Sequence, residues 1–275
     1  MEKRKRGAGL AVSIYFLLVS IVLIDQAQAA LISPMSQDRT TSARVRATTS
    51  SGGSGGDYKS GSTTDFGVFD STVTAMGAAK ITYCRMSGCY DTTAGGGSAT
   101  GAQHSEIAGN SILANGTASW NIGGGLPTIQ VLSEGSASSI FSVTFDLVQD
   151  ATFSLTGNLS NFLSWSGSTD PVRSQARVDL TGTSTIAHYA LDSSSSTPGS
   201  LSFSDSALLA AGRYTLSAAA MSNGVVLDSY NNGNSNYSFQ LTLVPVPVPL
   251  PAALWLFASA IAVISRSGLR RRPST

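Results

Sequence analysis

The sequence predicts an all-β protein, an antiparallel and jelly-roll-like β-sandwich with an N-terminal signal helix and a short C-terminal membrane helix. Three observations carry this. Apolar and polar residues alternate with period two over many stretches of strand length, and Gly, Asn and Ser separate these stretches at roughly ten-residue spacing. Between the two ends, no stretch of three turns shows the 3.6-residue period of an amphipathic helix, which makes the jelly roll the expected form of the sandwich. Only 12% of the 275 residues are charged while 28 are glycine, a composition that excludes coiled coils and helical bundles.

Residues 1–29 read as a secretory signal peptide. Lys3-Arg4-Lys5-Arg6 precedes an apolar run from Leu10 to Ile24, followed by Asp25 and then Ala27-Gln28-Ala29. A basic n-region, an apolar h-region and an A-x-A site are what the secretion machinery and signal peptidase read, so cleavage is expected after Ala29. The apolar run falls short of the roughly 20 residues of a membrane span, which disfavours an uncleaved anchor. Residues 30–65 are rich in Ser, Thr and Gly and show no apolar period, so a flexible low-complexity leader is expected there. Within it, Gly52-Gly53-Ser54-Gly55-Gly56 matches G-x-S-x-G formally but lacks the strand and helix that a nucleophile elbow needs.

Residues 66–244 carry the sandwich pattern. Phe141, Val143, Phe145 and Leu147 share one face of a strand, and Phe153 with Leu155, then Ala176, Val178 and Leu180, repeat the alternation. Leu201 and Phe203 begin another strand. Gly212 supplies a turn before Tyr214, Leu216 and Ala218, and the last strand turns Tyr237, Phe239, Leu241 and Leu243 inward. Weaker strands are expected at 66–73, 80–85, 119–122 and 128–132.

Few residues offer chemistry. Cys84 and Cys89 are the only cysteines, and outside the cytoplasm a disulfide is their default state. A zinc site needs two more ligands, and His104 is the only nitrogen candidate near by, so neither metal nor cofactor is expected. His188 falls in a strand, without the rigid nucleophile turn of a Ser-His-Asp triad. Asp146 and Asp150 flank the end of an apolar strand rather than facing one another from a cleft. The run from Asp228 to Asn236 reads as a long polar loop and a candidate ligand site. Asp228 and Asn232 supply oxygens and Tyr230 a ring for stacking on sugar, although Tyr230 spoils an EF-hand spacing and no closing Glu follows. Residues 31–245 hold nine basic against fourteen acidic side chains, a net −5, so no nucleic-acid partner is expected.

At the C-terminus, residues 245–275 alternate proline as Pro245-Val246-Pro247-Val248-Pro249-Leu250-Pro251, which forbids helix and favours polyproline II. An apolar run from Ala252 to Ile264 follows, about 20 Å as a helix against a hydrocarbon core of roughly 30 Å, and then Arg266 and Arg270-Arg271-Arg272. Val248, Pro249, Leu250, Pro251, Ala252 and Ala253, with Trp255 in the apolar run and the closing Arg270, Arg271 and Arg272, resemble the PEP-CTERM class of bacterial sorting signals in its VPLPA variant. The resemblance covers residues 246–272. Ala258-Ser259-Ala260 replaces the usual Gly-rich stretch, and Pro273-Ser274-Thr275 follows the arginines. It implies an exosortase as partner and delivery to the surface or matrix of a Gram-negative bacterium. Basic clusters outside both apolar runs put both chain ends in the cytoplasm and the intervening residues outside.

The expected function is that of a non-catalytic, exported cell-surface or biofilm-matrix protein. The alternative is an extracellular polysaccharide-binding module using Tyr230, Tyr237 or Trp165, and a secreted hydrolase stands third.

Overall fold

The computed structural model describes residues 31–126, 128–164, 172–193 and 198–247. These form twelve strands: β1 (Ile32–Thr49), β2 (Ser54–Thr63), β3 (Phe69–Arg85), β4 (Gly88–Ala108), β5 (Ser111–Gly124), β6 (Val131–Leu147), β7 (Ala151–Ser164), β8 (Arg173–Thr181), β9 (Thr185–Ser193), β10 (Gly199–Leu209), β11 (Gly212–Leu227) and β12 (Tyr230–Pro245). They pair antiparallel throughout, in two six-stranded sheets ordered β2-β1-β6-β11-β8-β9 and β10-β7-β12-β5-β4-β3. The chain is an all-β sandwich of two antiparallel sheets. The signal peptide and the membrane helix expected at the two ends lie outside the described residues.

The alternation that the sequence displays decides which side chains lie between the sheets. Phe141, Val143 and Phe145 on β6 meet Phe153 and Leu155 on β7, Leu216 on β11, and Phe239 and Leu241 on β12, all essentially inaccessible to water. Phe141 and Phe239 meet edge to face at 5.5 Å between centroids, the arrangement that the ring quadrupole favours. Toward β1, β3 and β4 the inward residues shrink to Ala43, Ala47, Ala75 and Ala99, and the two sheets draw together. A Cβ on Gly101 would lie 2.6 Å from the backbone oxygens of both Ser42 and Ser138, so only glycine lets the sheets pass there. Gly101→Val is expected to cost about 1–3 kcal/mol or more through forced separation of the sheets, read as a lower urea midpoint.

Three expectations need correction. Residues 30–65 are not a free leader: β1 and β2 occupy most of them, β1 pairs along its length with β6, and the sandwich begins at Ile32 rather than at residue 66. The reason is in β1 itself, whose inward residues Thr41, Ala43, Val45 and Ala47 are all buried; they are too small or too polar to announce a period by hydropathy. Three of the four weak strands are parts of longer ones, with 66–73 and 80–85 both falling largely in β3 and 119–122 in β5, while 128–132 overlaps β6 only at its last two residues. The polar loop from Asp228 to Asn236 is mostly strand: the chain turns at Asp228, whose φ is +52°, and β12 starts at Tyr230. Cys84 and Cys89 pair across the β3–β4 hairpin tip and form the disulfide, with Tyr83 stacked on Tyr90 beside it.

Candidate functional site

The turn residues of the predicted ligand loop separate in the structure. Asp228 is structural: its carboxylate accepts a hydrogen bond from the Val131 amide at 2.7 Å, and its own amide donates to the Val131 carbonyl at 3.0 Å. Tyr230 lays its ring across the space beside Gly123, where a Cβ would come within 2.1 Å of the ring. Tyr237 is buried, with its hydroxyl 3.3 Å from Ser139 Oγ, and burial raises its pKa; it is unavailable to a ligand. Trp165 lies outside the described residues. Tyr230 is 74% exposed at the start of β12, and Asn232 stands two residues on along the same outward face, opposite Asn121.

The residues considered for catalysis are also dispersed. Asp146 is held by Arg213 at 2.8 Å, and this hydrogen bond lowers the carboxylate's pKa. Asp150 accepts from the Ala211 amide at 2.8 Å. His188 contacts Asp179, and Asp179 stands in register between His188 on β9 and Ser217 on β11. A triad needs the histidine in the middle, so this row cannot pass a proton from serine to histidine. His104 lies 3.9 Å from Asp70.

Sequence reasoning missed the outer face of the second sheet, because it exists only once the strands are in register. Ser98 pairs with Asn121 and Thr100 with Ser119. Asn121 pairs on with Asn232, and Ser119 with Asn234, while Asn234 meets Phe162 on β7. Further along, Asn236 Nδ2 donates to Ser160 Oγ at 3.1 Å, Asn158 Nδ2 donates to Ser202 Oγ at 3.0 Å, and Thr74 and Thr100 hydroxyls lie 3.1 Å apart. Across β5, β12, β7 and β10 every outward side chain among the described residues is Ser, Thr, Asn, Gln, an apolar residue or Tyr230, and none is ionisable at neutral pH. The first sheet is the opposite case, its outer face carrying Arg44, Arg46, Glu134, Asp146, Arg173, Arg177, Asp179, His188, Asp192 and Arg213. A surface is ordinarily about 25–35% charged, so the bare face is a departure in kind.

A shallow trough of about 260 Å³ crosses β4, β5, β12 and β7, lined by Ser98, Thr100, Ser119, Asn121, Asn232 and Asn234, with Phe162 at one end. Three gaps between strands make it about 14 Å long. Asn234 Oδ1 is buried with no partner in the protein, and an amide oxygen in that condition is an acceptor waiting for a donor. Phe162 is 39% exposed.

No family matches the chain, and no curated protein does. Among solved structures it is similar to a chain in a structure of infectious bursal disease virus, Gt strain, at 12% identity over 85% of this chain and 74% of that one, with a TM-score of 0.19. A likeness of that quality carries no argument.

Proposed function

We propose that the chain is an exported, non-catalytic protein of the cell surface or extracellular matrix, whose sandwich is a jelly roll and whose C-terminus is a removable sorting signal read by an exosortase. The observation that carries it is the order Val248-Pro249-Leu250-Pro251-Ala252-Ala253, apolar run, Arg270-Arg271-Arg272. This motif falls outside the described residues and is argued from chemistry. A polyproline II approach leaves its backbone groups unpaired and open to a protease, and the arginines anchor the register from the cytoplasmic side. The strand order supports the jelly roll: β12 lies between β5 and β7 while β11 lies between β6 and β8, so the last hairpin slots into both sheets as two interlocked Greek keys require. β1 to β4 then widen the two sheets. The chain leaves β12 at Pro245 directly into the proline spacer, with Val246 still donating to the Asp150 carbonyl at 3.0 Å, so the signal would hang from one end of the sandwich.

The test is fractionation of cells making the full chain. Pro249→Ala with Pro251→Ala is expected to leave uncut precursor in the inner membrane, and deletion of 248–275 to release the sandwich into the periplasm. Surface protein that still carries Arg270 to Arg272 by mass spectrometry would make the helix an anchor and refute the sorting reading. In the same material, an N-terminus at Ala30 is the expected product of signal cleavage.

A further inference from the structure

We propose that the trough across β4, β5, β12 and β7 binds an uncharged polysaccharide, laid across the strands with Phe162 as its apolar platform. The inference rests on the chain reaching the cell exterior, and its test uses purified protein so that binding is judged apart from export.

The chemistry of the face selects the occupant. An acidic glycan, a nucleic acid or an anionic membrane needs guanidinium or ammonium groups, and β5, β12, β7 and β10 present none outward. Arg44, Arg46, Arg173, Arg177 and Arg213 stand outward on the other sheet. A second copy of the chain fits poorly as well, because the cores of protein interfaces are depleted in serine and enriched in aromatic residues, whereas this face is mostly Ser, Thr and Asn. What remains is a ligand that is itself uncharged and dense in hydroxyl groups. Each asparagine amide offers two donors and an acceptor, and a sugar hydroxyl both donates and accepts. Among the described residues, the side chains of Asn121, Asn232 and Asn234 make no hydrogen bond within the protein, although their neighbours Asn158 and Asn236 do. The three amides lining the depression are therefore open to a ligand.

Phe162 supplies the apolar part. It stands directly opposite Asn234, so a sugar ring lying on its face would point equatorial hydroxyls along the row toward Asn234 and Ser119. The trough is open and shallow, so one sugar ring buries little area; the length of a polymer makes up for this by presenting many equivalent repeats to many copies of the site.

The experiment is retention of the purified sandwich on insoluble β-1,3-glucan, cellulose and mannan, with alginate beads as the acidic control, in low and high salt. Retention on at least one neutral polymer is expected, undiminished by salt because no ion pair is involved, with none on alginate. Asn121→Ala with Asn232→Ala, and separately Phe162→Ala, should each weaken retention about tenfold, the equivalent of roughly 1.4 kcal/mol. All three positions face outward, and an unchanged melting temperature checks that the variants fold. Arg177→Ala on the other sheet should change nothing. Failure on all the neutral polymers, retention on alginate alone, equal retention of the trough variants, or a dimer in solution that Phe162→Ala dissociates would each overturn the proposal.

Discussion

Phe141→Ala is expected to lower the free energy of unfolding by about 3–5 kcal/mol, a large part of the roughly 5–15 kcal/mol that a domain commands. Phe141 is fully buried, sits on β6 between β1 and β11, and meets Phe239 of the opposite sheet. Its ring is thus the contact between the central strands of both sheets. Strands on either side hold the backbone in ladder register, so the site cannot collapse around the missing ring, and the cost falls toward the upper end of the range. Urea denaturation followed by tryptophan fluorescence measures it, since Trp120 lies between the sheets at 2% exposure. A loss under about 1 kcal/mol would mean that the core relaxes freely.

The elements legible in the sequence are those whose inward residues are large. β6, β7 and β12 present Phe, Leu and Tyr at every second position, and the reading of their inward faces agrees with the structure. β1 and β2 were hidden for the converse reason. Lining the narrow part of the sandwich requires Ala, Thr and Gly, residues that also make up linkers, and one inward position of β1 is an arginine. The start of β12 misled in another way: Asn231, Gly233 and Ser235 face inward and are buried or tightly packed, because Gly233 must make room for Trp120 and Ser222. Composition there looks like loop, while register makes it strand. The cysteine pair was legible because it closes a short hairpin. The candidate site was not, since a face free of charge is a property of four strands side by side and belongs to no segment of the chain. The proposed sorting motif rests on the sequence alone, since it lies outside the described residues.

Arg39→Ala is expected to be the most damaging single change on the polar side of the sandwich, at about 3–6 kcal/mol, from two hydrogen bonds with a charged donor at about 1.5–3 kcal/mol each. Arg39 is fully buried on β1 and has no carboxylate within ion-pair distance among the described residues. Instead its guanidinium donates to the backbone carbonyls of Asp65 and Gly67, the latter at 2.8 Å, and lies 3.3 Å from Ser105 Oγ. It also stands over the Phe69 ring at 5.7 Å. Burial lowers its pKa and Asp65 partly opposes that, but an arginine starts so high that it stays charged. The carbonyls it holds belong to the connection from β2 in one sheet to β3 in the other, so the side chain ties the crossover to the sandwich. Alanine leaves those acceptors orphaned and the crossover untied, whereas Arg39→Lys keeps the charge but cannot fork to two carbonyls and should fall between. Limited proteolysis provides the second readout: cleavage confined to residues 64–68 should appear in the alanine variant under conditions where the natural protein resists. If the alanine variant unfolds within about 1 kcal/mol of the natural protein and resists cleavage there, the crossover is held by β2 and β3 themselves and Arg39 is a passenger.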